Sequence, residues 1–252
     1  MKKQLLILIL LSIANCSISY AVSLTSHRIY LDKNLRTESF VIFNREIQTQ
    51  DCRLSLIDFP FDKASNMGEK ITDNIPKSSA ANLVRFSPKN FKIKGGSSQT
   101  VRFSLRRKPN TPVSEYHSYL SINCGKNMDD PSNRGMISLS PRLVHNVPVI
   151  ARTGELAATI HFSDIRIDEK GKLAFKLNRS GNRSVYGAIE IINKHNDKVI
   201  NYLQGVSLYV QSDYRDFDFA LPKDIDINYL SLRFKEDTKY GGSITINRDI
   251  KL

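Results

Sequence analysis

Apolar and polar residues alternate with period two through almost every segment of this 252-residue chain, and sustained helical periodicity is scarce. A period of two lets a strand dry one face and wet the other, as in a sandwich, whereas on a helix the same period would scatter apolar residues around the axis. Candidate strands fall at 24–31, 38–43, 52–57, 83–86, 100–105 and 116–124, with Phe91 and Ile93 between turns at Ser87-Pro88 and Gly95-Gly96. A second set follows at 158–162, 172–177, 186–192, 206–210, 229–234 and 243–247. The chain is therefore all-β. Short strands with turns at this spacing predict an immunoglobulin-like sandwich, and two sets predict two sandwiches joined near Thr153.

The start of the chain serves a different purpose. Met1-Lys2-Lys3, an apolar run at 5–13 and the small residues Ser19 and Ala21 are the parts of a secretory leader, expected to be cut after Ala21. The apolar run is too short to span a bilayer, so no stable membrane insertion is expected and the mature protein is expected to be soluble and exported. Cys16 follows Asn15, a poor residue before a lipidated cysteine. The whole chain carries a formal charge of +12; the leader holds two lysines and no acid, which leaves +10 on the mature protein. That balance favours acidic partners, surfaces or nucleic acid, although the charges stand singly between apolar residues as on a solvated face. Cys52 and Cys124 remain after cleavage. An even pair in an oxidising compartment reads as a disulfide, with two separate buried thiols as the alternative.

The segment 135–153 concentrates the information. Ile137, Leu139 and Leu143 alternate with Ser138, Ser140 and Arg142, whereas 147–151 is almost wholly apolar. A strand half-wet in its first part and dry in its second leaves a surface and enters a core. Pro141 has no N–H to give a ladder, which fits an edge strand or a bulge.

Several pieces, in this order, resemble the PapD-like periplasmic pilus-assembly chaperones, nearer their archaic branch. They are Val22-Ser23-Leu24, Arg28-Ile29-Tyr30, the run 86–107 (FSPKNFKIKGGSSQTVRFSLRR), Glu115-Tyr116, Pro148-Val149-Ile150-Ala151-Arg152 and, in the second half, 178–187 (NRSGNRSVYG), which looks like a strand-turn-strand opening. The resemblance implies two immunoglobulin-like β-sandwich domains in an L or boomerang arrangement, at 22–153 and 154–252. It implies a protein that captures pilus or fimbrial subunits by donor-strand complementation and delivers them to an outer-membrane usher. On it, Ile137, Leu139 and Leu143 of the first domain's last strand fill the subunit's open groove. Arg28 anchors the subunit's terminal carboxylate. Pro148 stands where the family's second anchor, a lysine, is expected, with Arg142 and His145 as weaker substitutes. Arg152 fixes the angle between domains. Cys52 and Cys124 fall on neighbouring strands, within reach of a cross-strand bridge. Exposed donor edges would also allow self-association.

Enzyme chemistry finds little support. His27, His117, His145, His161 and His195 are scattered without ligand spacing, and no GxSxG elbow or phosphate-cradling glycine loop occurs. Asp129-Asp130 lie in a polar loop. No cofactor and no metal is expected. Arg102, Phe103, Tyr116 and Tyr119 could stack and bind nucleic acid, but their strand spacing reads as sandwich core, so no nucleic-acid partner is expected. The alternative to a chaperone is an exported pilus or adhesin subunit, which would need a donor extension at its own N-terminus.

Overall fold

A computed structural model describes residues 22–126, 144–222 and 225–250. Among them there is no α-helix, and sixteen strands form four sheets. The leader at 1–21, the donor residues Ile137, Leu139 and Leu143, and Arg142, a weaker anchor candidate, lie outside the described residues.

The first half runs β1 (Ser23–Leu24), β2 (Ile29–Leu31), β3 (Thr37–Phe43), β4 (Gln50–Ile57), β5 (Val84–Ser87), β6 (Asn90–Ile93), β7 (Ser98–Leu105), β8 (Ser114–Lys126) and β9 (Val144–Thr153). One sheet has the order β1-β3-β7-β5 and the facing one β2-β9-β8-β4-β6. Alternation decides which side chains enter the space between them. Phe40 and Ile42 of β3 and Val101, Phe103 and Leu105 of β7 are buried while their neighbours face water. Phe40 and Phe103 meet edge to face at 6.4 Å. Burying each such side chain contributes about 1.5–3 kcal/mol before chain entropy is set against it.

Cys52 and Cys124 lie directly opposite one another on β4 and β8, with Cα atoms 4.1 Å apart, and form a disulfide. The expected disulfide is thus present, between adjacent strands.

The expected single strand at 24–31 is two strands in different sheets. β1 pairs antiparallel with β3, and β2 pairs parallel with β9. The chain crosses between sheets over Thr25–Arg28, a polar stretch where alternation lapses. Such a crossing seals both sheets with one segment.

The second half runs β10 (Ala158–Ile167), β11 (Leu173–Gly181), β12 (Val185–Asn193), β13 (Lys198–Leu208), β14 (Tyr214–Phe219), β15 (Leu230–Glu236) and β16 (Thr245–Asp249). Its sheets are β10-β11-β14 and β13-β12-β15-β16. Phe175 stacks on Phe217 and Phe219 at 5.8 and 5.7 Å in a separate apolar core. β14 was not among the expected strands, and β13 begins eight residues before the expected 206. Both carry charges or exposed residues that blur the alternation: Arg215 on the inward side of β14, Lys198 to Leu203 in β13.

Candidate functional site

β9 is the strand into which the informative segment 135–153 runs. It pairs with β8 along its whole length, from Val144 opposite Asn123 to Thr153 opposite Ser114. On its other side β2 covers Val149 to Ala151. Residues 144–148 therefore have no strand on that side among the described residues, and Val144 is 46 % exposed. Pro148 sits just before the β2 pairing begins, a place where a missing N–H is tolerated. His145 is half-buried, and its Nε2 has no partner.

The other face of β9 looks toward the second sandwich. Tyr30, Tyr119, Ile150 and Tyr209 form an apolar seam, with Ile57, Phe59, Phe61 and Tyr240 packed at its margin. His117 lies on Tyr209 almost ring on ring, with centroids 4.0 Å apart and planes at 18°. Burial, aided by the charge of Arg28, pushes its pKa down from 6.5 to about 3, so the imidazole is neutral. Its Nε2 has no partner, nor has Oε1 of Gln211, and both residues line a cavity of about 190 Å³ together with Asp58, Ser118 and Tyr119. Tyr119 donates to Tyr209 Oη at 3.2 Å, and burial raises its pKa far above the usual phenol range.

Arg28 follows the crossing between β1 and β2 and is 2 % exposed. Its guanidinium lies 4.1 Å from the centre of the Tyr186 ring and donates from Nη2 to Ser207 Oγ at 2.7 Å, both in the second sandwich. Its Nε is buried without a partner. One donor of the fork is therefore unused.

Arg152, near the end of β9, has an acidic partner that the sequence had left unnamed. It is Glu115, directly opposite on β8, whose Oε2 accepts from Arg152 Nε at 2.8 Å. The remaining guanidinium nitrogens cross the seam: Nη2 donates to the Ser184 carbonyl at 2.9 Å and Nη1 to the Gly241 carbonyl at 3.3 Å. Glu115 crosses as well, accepting from the Ser184 N–H at 3.0 Å. Burial lowers the Arg152 pKa, but the Glu115 carboxylate and Tyr30 outweigh it and the net shift is upward. Gly241, at φ +71°, makes this approach feasible, since a Cβ there would lie 2.2 Å from Tyr30 Oη.

Two more buried arginines brace the far wall. Arg183 holds Glu236 through two parallel hydrogen bonds of 2.6 and 3.0 Å. Arg179 donates to the carbonyls of Gly181, Arg183, Val210 and Ser212 at 2.9 to 3.1 Å, which closes the turn between β11 and β12 on the corner between β13 and β14.

The loop between β4 and β5 completes the seam. Asp62 caps its first turn by accepting from Ala64 N and Asn66 N at 2.9 and 2.8 Å. The Lys63 carbonyl accepts from Asp213 N and Tyr214 N at 2.9 and 3.0 Å, Ser65 Oγ donates to the Tyr214 carbonyl at 2.8 Å, and Ser212 Oγ donates to the Asp62 carbonyl at 3.1 Å. Phe61 packs on Tyr209 at 4.8 Å.

No family model and no curated protein matches the sequence. Solved structures do match. The Escherichia coli chaperone DraB is similar with a TM-score of 0.51 at 10 % identity, over 92 % of this chain and 97 % of that one. A chain of the Salmonella enterica SafA pilin in complex with the SafB chaperone gives a TM-score of 0.50 at 11 % identity, over 93 % and 99 %. At these identities the likeness is one of fold alone, a fold shared with the chaperone DraB.

Proposed function

We propose that this chain is a PapD-like chaperone of pilus assembly, acting in the periplasm on subunits that lack a strand. The observation that carries the reading is the edge of β9 at Val144–Pro148, which no strand of the described residues covers on the side away from β8. An uncovered edge next to an alternating apolar segment is what a protein needs in order to add a strand to a partner. The donor residues are Ile137, Leu139 and Leu143, each contributing about 1.5–3 kcal/mol in a subunit's groove before ordering costs. The donor domain is 22–153, the second domain is 154–252, and the loaded complex is passed to an outer-membrane usher.

The carboxylate anchor is Arg28, supported by its unused buried Nε. A carboxylate reaches it when the ring of Tyr186 moves aside, and Arg142 and His145 are the lesser candidates. Arg152 sets the angle between the domains through Glu115 and Ser184, with Pro148 replacing the family's second cation.

Co-expression with the subunit genes of its own genomic neighbourhood tests the reading. The wild type should give a soluble 1:1 complex. Leu139→Glu with Leu143→Glu should abolish it while the free protein keeps its thermal transition. Undiminished capture by that folded variant would refute the donor assignment.

A further inference from the structure

The positive charge of the chain is not shared between its halves. Residues 22–153 hold 20 Lys and Arg against 11 Asp and Glu, while 154–252 hold 15 against 14. Subunit capture uses little of that excess.

Much of it lies on one surface. In the sheet β1-β3-β7-β5, Arg102 of β7 stands opposite Ser39 of β3 and Ser87 of β5, and Arg85 of β5 stands opposite Ser104. Opposite residues share a face, so Arg85 and Arg102 project from the outer side, diagonal neighbours about 7–8 Å apart. Arg36 precedes β3, where its carbonyl accepts from Leu105 N at 2.9 Å, and Arg106, Arg107 and Lys108 leave the same end of β7. All six are exposed, and none is in an ion pair among the described residues. The neighbouring acid, Glu38, is opposite the buried Phe103, and its carboxylate accepts from Tyr30 N at 2.8 Å. The rest of the face is mostly short hydroxyls, Thr37, Ser39, Ser87, Thr100 and Ser104, with Val41 and the partly exposed Phe43 toward its far end. Such like charges repel one another unless an anion lies over them.

The geometry points to a peripheral membrane-docking face that takes the phosphate headgroups of an anionic bilayer. Five of the six cations are arginines, whose planar fork matches phosphate oxygens two at a time. The face is the open surface of a four-stranded sheet. Its edge strands, β1 and β5, are two and four residues long, too short to recruit a peptide by strand addition. A planar anionic array can meet Arg85 and Arg102 on the sheet together with the cations clustered at its end, and Leu35, 41 % exposed beside Arg36, gives the rim an apolar contact.

Sedimentation of the full mature chain with vesicles tests this. Vesicles of phosphatidylglycerol and phosphatidylcholine should bind it at 0.15 M salt, and pure phosphatidylcholine should not. Each neutralised residue should lower partitioning about five-fold, so Arg36→Gln/Arg102→Gln/Arg106→Gln should lose roughly 100-fold. Lys170→Gln/Lys198→Gln/Lys235→Gln, three exposed sites of the second half, should stay within about three-fold of the wild type. Arg102→Gln alone keeps the test alive if the triple variant does not fold. Equal losses in both triple variants would overturn the proposal in favour of net charge, as would failure to bind the anionic vesicles. A poly-glutamate peptide that binds while vesicles do not would overturn it in favour of an acidic polypeptide.

Discussion

Acid should destabilise this fold through His117 in particular. Its imidazole is stacked on Tyr209 and packed near Phe61, and burial with the nearby Arg28 charge holds its pKa at about 3 against 6.5 in the open chain. The unfolded chain takes up a proton near pH 6.5 that the native ring refuses until about pH 3. Stability from this group is therefore complete above pH 6.5 and falls by about 1.4 kcal/mol for each pH unit below it. At pH 4.5 the loss is on the order of 3 kcal/mol, a large share of the 5–15 kcal/mol that typically holds a domain. His117→Phe preserves a ring against Tyr209 and removes both the titration and the unpartnered Nε2. Urea unfolding of both proteins at pH 7 and pH 4.5 gives the comparison, since Asp62, Asp164 and Asp168, whose pKa values are lowered and which also lose stability in acid, are common to both. The variant should gain on the wild type by about 2–3 kcal/mol between the two pH values. Parallel loss in the two proteins would refute the argument.

Two further outcomes are expected. Glu115→Gln and Arg152→Met should each cost about 3–5 kcal/mol in urea unfolding, because either leaves a buried charge without its partner, and the double variant should cost clearly less than their sum; additivity within about 0.5 kcal/mol would mean that the pair is not coupled. Cys52→Ala with Cys124→Ala opens a loop with a sequence separation of 72 and should lower stability by about 4 kcal/mol, read as a shift in the urea midpoint.

Strand by strand, the fold was legible wherever one face of the segment is dry. Phe40, Ile42, Val101 and Phe103 announce their strands because their neighbours are polar. β14 was not legible, because Arg215 occupies an inward position, opposite Leu177, and leaves only Phe217 and Phe219 to mark the dry face. Of the candidate site, Arg152 could be named from sequence but its partner could not. Glu115 was in view, yet only the antiparallel register of β8 and β9 puts it opposite Arg152. The seam was the least legible part. Phe61, His117 and Tyr209 are far apart in the chain, and none belongs to a periodic pattern that distinguishes a partner in the other sandwich from a residue of its own core.

The loop between β4 and β5 has a consequence for how the molecule can come apart. The covalent crossing at Thr153 and Gly154 is one tether, and the grip of Phe61, Lys63 and Ser65 on Tyr209, Asp213 and Tyr214 is another, built wholly from non-covalent contacts. A protease that cut at Gly154 would sever the chain without freeing its halves. They would migrate as one particle in native conditions and as two fragments only once denatured, so the connection between the sandwiches is a clasp as much as a linker.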